Sequence, residues 1–336
     1  MLYAYQLRAH SNARYQESLI TLSEKELRCM LTACGVPAHI ELRMLGGAPF
    51  LCFEVPMLTP AQRAFLCAHS ALYMTAVLEG ELLRPLPPVN AFPLPQDMPD
   101  ILKYKGKTNA AFTQMLINLA LSAGGQWNVP RPRVLDPICG RGTSLFCALS
   151  RGMDAVGIDS DRKSIEDGVA YAKKWLQYHR VKHSAERVSR TLPGGKSIPE
   201  IRLRISLAGE EEPRELRLLL ADTRDTDGLM RRQRVNALVA DLPYGVQHAP
   251  KENGRMSTLE GLLADCLPAW RQALLPGCAA AIAFNTYTLR RDRLAALAKG
   301  AGFRLPETPE YEDFSHWVEQ AVNRDVLIAL APSPAP

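Results

Sequence analysis

Residues 134–144 have the sequence VLDPICGRGTS, in which a short apolar strand runs into a glycine-containing turn and the start of a helix. A second apolar run, 155–158, follows the predicted helix and ends at Asp159. The order strand, glycine turn, helix, strand, acid is typical of a nucleotide-binding crevice in an α/β sheet. Glycines let a ligand approach the backbone, and the acid can accept both ribose hydroxyls. We therefore predict an α/β fold in which Gly140 and Gly142 form the turn and Asp159 binds a ribose.

The turn differs from the two common phosphate-binding loops. It has neither the third glycine of the dinucleotide fingerprint nor the Lys-Ser/Thr pair of a phosphate loop. Asp136, at the end of the first strand, would also repel a pyrophosphate. A ligand with a nucleoside and an ammonium group but no phosphate fits better, and S-adenosylmethionine is such a ligand. A plain glycine turn between a strand and a helix is the alternative.

A second segment, 241–245 (DLPYG), ends another apolar run and should project from a strand end into the active site. The Asp241 carboxylate and the Leu242 carbonyl can each accept one hydrogen of an exocyclic amine. Pro243 stiffens the turn, and Tyr244 offers a ring face on which a planar group can stack. We predict these four residues as the catalytic set, although alone the segment is also a common turn.

Together the two motifs resemble class I S-adenosylmethionine-dependent methyltransferases. The chain is most similar to the tRNA guanosine-10 N2-methyltransferase family, in its bacterial form and without the THUMP RNA-binding domain. The resemblance covers roughly residues 101–332. Its most specific segments are 105–109 (KGKTN), 136–143 (DPICGRGT) and 241–248 (DLPYGVQH). It implies a Rossmann-like, mostly parallel seven-stranded sheet whose last strand is antiparallel.

The resemblance also implies which residues bind S-adenosyl-L-methionine. Thr108 and Asn109 would close over its methionine end, with helix capping as the alternative. Asp222 would bind the adenine amino group, with a helix N-cap as the alternative. The predicted cofactor-binding residues are Thr108, Asn109, Asp136, Pro137, Cys139, Gly140, Gly142, Thr143, Asp159, Ser160, Asp222 and Thr223.

Length and composition set the broad class. The 336 residues are enough for two domains, and no apolar run reaches the length of a membrane span. The N-terminus lacks the basic and apolar blocks of a signal peptide. Eight cysteines are scattered without CxxC pairs, which indicates reduced thiols rather than disulfides or a metal site. We therefore expect a cytoplasmic protein with no membrane association.

The chain divides into three predicted parts. Residues 1–84 follow the order β-α-β-β-α-β of a ferredoxin-like α+β domain, in which Ser23 and Glu26 are expected to form a capping box at a helix start. This part is slightly acidic, which favours packing or partner docking over RNA binding. Residues 85–100 contain six prolines and predict a semi-rigid, extended linker. Residues 101–332 form the predicted methyltransferase domain.

The middle of the chain is basic. Residues 101–240 contain 24 Lys/Arg and 15 Asp/Glu, and the rest is slightly acidic. A basic insertion around residues 180–214 interrupts the predicted sheet, so we expect it to contact a nucleic-acid backbone, with a solvated loop as the alternative. The candidate contacts are Lys173, Lys174, Arg180, Lys182, Arg187, Arg190 and Lys196. On the preceding helix, Tyr171, Trp175 and Tyr178 have helical spacing and are predicted to be core residues.

These features predict an enzyme that methylates an exocyclic amine of a nucleic-acid base, most closely guanine N2 in tRNA or another RNA. A DNA adenine-N6 or cytosine-N4 methyltransferase, a protein glutamine methyltransferase and a non-catalytic RNA-binding protein that retains the fold stay open. A C5-cytosine mechanism is disfavoured because the 241–245 motif lacks a nucleophilic cysteine. The sequence leaves the oligomeric state undetermined, and a small activating protein partner is compatible with the resemblance.

Overall fold

The computed structural model describes residues 1–9, 13–89, 91–101, 109–192, 194–243, 251–252, 255–256 and 258–333. The first elements are β1 Leu2–Leu7, α1 Ala13–Ala33, β2 Ile40–Leu45, β3 Ala48–Glu54, α2 Pro60–Leu66, β4 Leu72–Glu79 and β5 Leu82–Pro85. Their strands form an antiparallel sheet in the order β2-β3-β1-β4-β5. The first six elements follow the predicted order, and β5 adds a hairpin strand at one edge. The name ferredoxin-like stays a prediction.

The second part of the chain alternates strands and helices around a mixed α/β sheet. Its elements are α3 Met98–Ile101, α4 Ala110–Ala123, β6 Arg133–Asp136, α5 Thr143–Ser150, β7 Asp154–Asp159, α6 Arg162–Tyr178, β8 His183–Thr191, β9 Ser197–Ile205, β10 Arg214–Leu220, α7 Thr226–Met230, β11 Val235–Asp241, β12 Lys251–Glu252, β13 Arg255–Met256, α8 Leu259–Ala273, β14 Leu274–Asn285, α9 Arg291–Gly300, β15 His316–Glu319 and β16 Val322–Leu330.

The main sheet has nine strands in the described residues, in the order β15-β16-β14-β11-β6-β7-β10-β9-β8. The prediction of seven strands is therefore wrong, because the basic insertion forms the antiparallel hairpin β8–β9 and pairs with β10. In β9, Leu203 and Ile205 are buried while Arg204 between them is exposed. This alternation gives the hairpin one apolar face, which is buried when the hairpin extends the sheet.

Strand β6 lies at the point where the order of strands reverses. The chain passes from β6 to β7 on one side, and β11 lies parallel to β6 on the other. In open α/β sheets such a switch point leaves a crevice beyond the carboxyl ends of the strands. Asp136, Asp159 and Asp241 are the last residues of β6, β7 and β11, so three carboxylates reach this edge.

Helix α1 begins at Ala13, ten residues before the predicted start. Ser23 and Glu26 therefore lie inside the helix, and the predicted capping box is wrong. Glu26 is fully buried and accepts hydrogen bonds from the backbone N–H and the hydroxyl of Ser70 and from the Asn118 side chain. At this position, the sequence pattern of a helix cap therefore contains a buried carboxylate whose partners are distant in the sequence.

That carboxylate belongs to a polar network that joins the two parts of the chain. Asn118, on α4, donates to Glu26 at 2.6 Å and to the Ala68 carbonyl at 2.9 Å. Arg151, at the end of α5, donates to the Asn118 side-chain oxygen at 2.7 Å. Because a buried polar group is costly without partners, the network fixes α1 against α4 and the end of α5.

The second half of the proline-rich segment packs against the protein, whereas the sequence predicted a semi-rigid, extended linker. Leu94 and Met98 are buried in the hydrophobic core shared by both parts of the chain. The hydroxyl of Tyr171, on α6, donates to the Met98 carbonyl at 2.5 Å. Residues 94–98 are therefore packed on the second part, and the predicted domain boundaries stay a prediction.

Candidate functional site

A cleft of about 410 Å³ lies at the carboxyl edge of the central strands. This volume is within the range of pockets that hold small ligands. The lining residues are Pro137, Ile138, Gly140, Asp159, Ser160, Asp161, Ser164, Asp222, Thr223, Asp241, Leu242, Pro243, Leu259, Leu262, Leu263, Cys266 and Trp270. The strand ends supply its polar side and α8 supplies its apolar side.

The glycine turn is shaped by backbone conformations that favour glycine. Gly140 has φ +51° and Gly142 has φ +92°, both in the left-handed region. The Cys139 N–H donates to the Ile158 carbonyl at 3.0 Å, which ties the turn to β7. Beneath it, a Cβ on Gly157 would lie 2.7 Å from the Cys139 sulfur, so the turn packs directly on the strand.

Asp159 holds the turn and borders the cleft. Its Oδ2 accepts the Gly140 N–H at 2.7 Å and its Oδ1 accepts the Asp161 N–H at 2.8 Å. Burial raises the pKa of Asp159, and these backbone hydrogen bonds lower it by a smaller amount. A carboxylate has about four lone-pair sites, so acceptor capacity remains for a ligand hydroxyl.

Asp136 lies behind the turn and does not line the cleft. Its carboxylate accepts a hydrogen bond from the Ser144 hydroxyl and another from the Ile138 N–H at 3.0 Å. Burial raises its pKa from 3.8 to about 7. The geometry therefore supports a role in shaping the turn rather than direct contact with a ligand.

The raised pKa of Asp136 predicts a pH effect on stability. Between pH of about 4 and 7 the unfolded chain loses this proton while the folded protein keeps it, so the free energy of unfolding falls as pH rises and levels off above about 7. We expect Asp136→Asn to remove this slope, which is about 1.4 kcal/mol per pH unit. Urea denaturation of the variant and the wild type from pH 5 to 8 measures the difference. Parallel curves would contradict it, and Asp227→Asn at an exposed carboxylate is the control.

The segment after β10 supplies two predicted cofactor residues. Asp222 borders the cleft and also caps the short 3-10 helix Thr223–Asp225. Hydrogen bonds from the Arg224 side chain lower the pKa of Asp222, so this carboxylate stays ionised. Thr223 accepts a hydrogen bond from the Trp270 indole at 2.8 Å, which joins this segment to α8.

The segment after β11 brings the predicted catalytic residues to the same cleft. Asp241, Leu242 and Pro243 all line it. The Leu242 N–H donates to the Ala283 carbonyl on β14 at 2.9 Å, which extends the sheet past the end of β11. Tyr244 lies outside the described residues, so its stacking role stays a prediction.

Other predicted cofactor residues lie away from the cleft lining. Asn109 caps α4, since its side chain accepts the Ala111 N–H at 2.8 Å. Cys139, Gly142 and Thr143 form the turn and the first residue of α5 but are not among the lining residues. Thr108 lies outside the described residues. Capping, the alternative weighed for Asn109, is what the structure describes.

Sequence reasoning missed the apolar wall of the cleft. Leu259, Leu262, Leu263, Cys266 and Trp270 project from one face of α8. The helical spacing of these residues was the available signal. Such an apolar stripe indicates that one face of the helix is buried, but it does not indicate whether protein or a ligand packs against it. Asp161 and Ser164, at the start of α6, were also missed.

The charge of the cleft discriminates between ligands. Four carboxylates line it, those of Asp159, Asp161, Asp222 and Asp241, and the described lining includes no lysine or arginine. Such a site disfavours phosphate groups and favours a cationic ligand. The apolar face of α8 is suited to a planar ring. The chemistry of the site therefore fits S-adenosylmethionine, which carries a sulfonium, an ammonium and an adenine.

Two predicted nucleic-acid contacts have other partners. Lys196 forms an ion pair with Asp225 at 2.5 Å. Arg190 donates to the Leu229 carbonyl and lies 3.4 Å from the Glu200 carboxylate. Both side chains are thus directed at groups within the protein, and their assignment to a nucleic acid stays a prediction.

The other basic candidates are exposed on α6 and at the start of the hairpin. These candidates are Lys173, Lys174, Arg180, Lys182 and Arg187. None of them forms an ion pair with a residue in the described ranges. Arg187 lines a small groove between α6 and the hairpin, together with Arg162 and Glu166.

Tyr178 differs from its predicted core position. Trp175 is buried and Tyr171 is half-buried, but the Tyr178 side chain is 82% exposed. It lies at the last turn of α6, two residues before Arg180. An exposed aromatic ring near exposed cations is a pattern that suits base stacking.

Within the described residues, no helix combines the length and apolarity needed to cross a membrane. The same residues contain no group of three or more side chains placed to bind a metal ion.

Comparison with known proteins finds likeness among solved structures. No protein-family model matches the sequence, and no curated protein does. The chain is similar to TrmN from Thermus thermophilus, with 21% identity and a TM-score of 0.38 over 90% of this chain, and it spans 64% of the TrmN chain. It is similar to a TehB-like SAM-dependent methyltransferase from Corynebacterium glutamicum, with 15% identity, 60% and 81% of the two chains covered, and a TM-score of 0.36. It is also similar to magnesium protoporphyrin IX methyltransferase from Synechocystis with bound SAM, with 14% identity, 70% and 89% covered, and a TM-score of 0.38.

Proposed function

We propose that this protein is an S-adenosylmethionine-dependent methyltransferase that acts on an exocyclic amine of a nucleic-acid base, with guanine N2 in tRNA or another RNA as its target. One observation carries the proposal. Acidic residues at or just after the ends of β7, β10 and β11 border one cleft that has an apolar wall and no described basic residue. This charge pattern suits a cationic nucleoside ligand next to an amine.

In this proposal the cleft divides into a cofactor part and an acceptor part. Asp159 holds the ribose hydroxyls, and Asp222 accepts the adenine amino group. Leu263 and Cys266, on α8, cover the face of the adenine ring. Asp241 and the Leu242 carbonyl hold the target amine at the other end.

The cofactor supplies an electrophilic methyl group attached to a positively charged sulfur. The Asp241 carboxylate and the Leu242 carbonyl orient the amine by accepting its two hydrogens. As the nitrogen attacks, it becomes positive, so both hydrogen bonds strengthen in the transition state. The extra proton then leaves the methylated nitrogen for the Asp241 carboxylate or for water, and no separate base of high pKa is required.

The RNA target is supported by the exposed cations and by the family resemblance of the two motifs. The cations on α6 and the hairpin would contact phosphates and position the substrate without selecting its sequence. A base within a helix would have to turn out of its stack to reach Asp241. The exposed ring of Tyr178 adds a stacking surface beside these cations.

The target can be identified directly. The protein is incubated with S-adenosylmethionine that carries a labelled methyl group, together with total RNA, DNA and protein from its host. We expect label in RNA, recovered as N2-methylguanosine after digestion. Label in a DNA nucleoside or in glutamine would move the target to that class, and no label in any fraction would contradict the enzyme assignment.

The surface cations provide an independent prediction. We expect the triple variant Lys173→Gln, Lys174→Gln, Lys182→Gln to bind RNA more weakly and to show a smaller salt dependence, by about 0.7 to 0.9 in log–log slope for each lost phosphate contact. Binding of labelled RNA at several salt concentrations measures both. Lys299→Gln is the control, since Lys299 is exposed on α9, which packs against β16 near the other end of the sheet. Equal slopes in the triple variant and the control would assign these lysines to a solvated surface.

A further inference from the structure

The hairpin β8–β9 reaches beyond the sheet at its closed end. Its strands pair from His183 with Ile205 to Thr191 with Ser197. The Leu192 N–H donates to the Lys196 carbonyl at 2.8 Å, which closes the turn. The turn lies on the side of the sheet edge where β10 ends, because Glu200 on β9 is paired with Leu219. The hairpin tip is therefore beside the segment that follows β10.

The hairpin tip and that segment belong to one hydrophobic cluster. Leu192 and Ile198, on either side of the turn, are both buried. They belong to the same hydrophobic cluster as Ala221, Leu229 and Met230. The tip thus shares a core with residues 221–230, which include two residues that line the cleft.

Polar contacts reinforce this packing at two points. Lys196 pairs with Asp225 at 2.5 Å, and the two side chains are 57% and 27% exposed. The Arg190 guanidinium donates to the Leu229 carbonyl. Arg190 is in turn held near the buried Glu200, which pairs with buried Arg217 at 2.7 Å. The Arg190 side chain is therefore held in place by a buried ion pair between the hairpin and β10.

Residues 222–225 are the part of the cleft that this bracing affects. The carboxylate of Asp222 caps the 3-10 helix in which Asp225 is the last residue. The Asp225 N–H donates to the Asp222 carbonyl at 3.0 Å, so the two acids are rigidly related. The pKa of Asp222 is lowered mainly by Arg224 and to a smaller extent by the Lys196 charge.

We infer that the tip of the basic hairpin, residues 190–192 and 194–198, is a positioning element for the adenine side of the cofactor pocket, and that Lys196 acts on cofactor affinity through Asp225 and Asp222. This inference rests on the proposed function, since it takes S-adenosylmethionine as the ligand. Lys196 and Arg190 are positioning residues, because neither lines the cleft. The hairpin then has two separate roles. Its exposed cations are available to a nucleic acid, while its tip positions the residues that line the adenine side of the pocket.

The test compares two lysines of the same basic segment. Lys196→Met removes the charge that pairs with Asp225, and Lys182→Met removes an exposed charge that has no ion pair within the described residues. Calorimetry measures the Kd of S-adenosylhomocysteine and of methylthioadenosine, which lacks the amino-acid end. We expect Lys196→Met to raise both Kd values by the same factor, about two- to fivefold, as for a partly exposed ion pair. Lys182→Met should leave both unchanged and should weaken RNA binding instead.

A double-mutant cycle separates the ion pair from a general loss of folding. Asp225→Asn should raise the Kd by a similar factor, and Lys196→Met combined with Asp225→Asn should cost little more than either change alone. Unchanged ligand affinity in Lys196→Met, or additive effects in the double variant, would overturn the inference. If the wild type binds neither ligand, the cofactor assignment itself fails, and the inference fails with it.

Discussion

Replacing Asp241 by alanine should slow methyl transfer by about 10²- to 10³-fold while leaving the Kd of S-adenosylhomocysteine nearly unchanged. The carboxylate borders the cleft at the end of β11, and in the proposed mechanism it accepts a hydrogen of the target amine. Loss of a hydrogen-bonding group that acts mainly in the transition state reduces the rate by about 10²- to 10³-fold. Single-turnover methylation measures the rate, and calorimetry measures ligand affinity in the same preparation.

A second substitution separates the charge of Asp241 from its shape. Asp241→Asn keeps one acceptor oxygen and should retain more activity than alanine. Asp227→Asn, at an exposed position on α7, makes the same change in net charge away from the cleft and is the control. Wild-type turnover in Asp241→Ala would contradict the assigned role, and a matching loss in Asp227→Asn would attribute the effect to charge alone.

Replacing Gly168 by alanine should weaken cofactor binding at least tenfold and lower the melting temperature. Gly168 lies within α6, where alanine normally stabilises a helix by about 1 kcal/mol. Here, however, the added Cβ would lie 2.6 Å from the Arg141 carbonyl oxygen in the glycine turn. Backbone atoms must then move, and such overpacking costs about 1–3 kcal/mol. Calorimetry with S-adenosylhomocysteine and thermal denaturation measure the two effects.

Gly300→Ala is the matched control for Gly168→Ala. Gly300 is the last residue of α9, and a Cβ there would meet no atom within 4 Å. We expect this variant to keep its ligand affinity and melting temperature. A stabilised Gly168→Ala variant with wild-type affinity would mean that the turn tolerates displacement, and that close packing of α6 does not set its position.

Much of the polar side of the cleft could be predicted from short segments of sequence. Apolar runs that end at an acid mark both a strand and the edge at which it stops, as at Asp159 and Asp241. Parallel strands place their carboxyl ends at one edge of the sheet, so separate local patterns predict a shared site. The positions of Gly140 and Asp222 at the cleft follow from the same reasoning.

The remaining parts of the site depend on contacts between distant segments. A helix with an apolar face such as α8 can cover many surfaces, and only the tertiary fold places Trp270 beside Thr223. Likewise, the sequence around Lys196, a basic residue next to a glycine, is typical of a solvent-exposed turn. Its partner, Asp225, is 29 residues away and meets it only because β8 and β9 pair in one particular register.

Local patterns also misled where a short motif had a distant partner. Ser23 and Glu26 have the spacing of a helix cap, but the helix continues through them since residues further upstream also favour it. The carboxylate is buried against Ser70 and Asn118, which no rule of local spacing connects with it.

The Glu26–Asn118–Arg151 network has a consequence for how this molecule can be divided. The proline-rich stretch looks like a natural cutting point, yet removal of the residues before it would take away the carboxylate that accepts the Asn118 hydrogen bond, the group to which Arg151 donates. It would also expose the apolar surface of α4 that packs against α1. We therefore expect that the first 84 residues cannot be deleted or exchanged without destabilising the rest of the chain. The second part of the chain shares one hydrophobic core with them, so we expect each half to lose stability when it is produced alone.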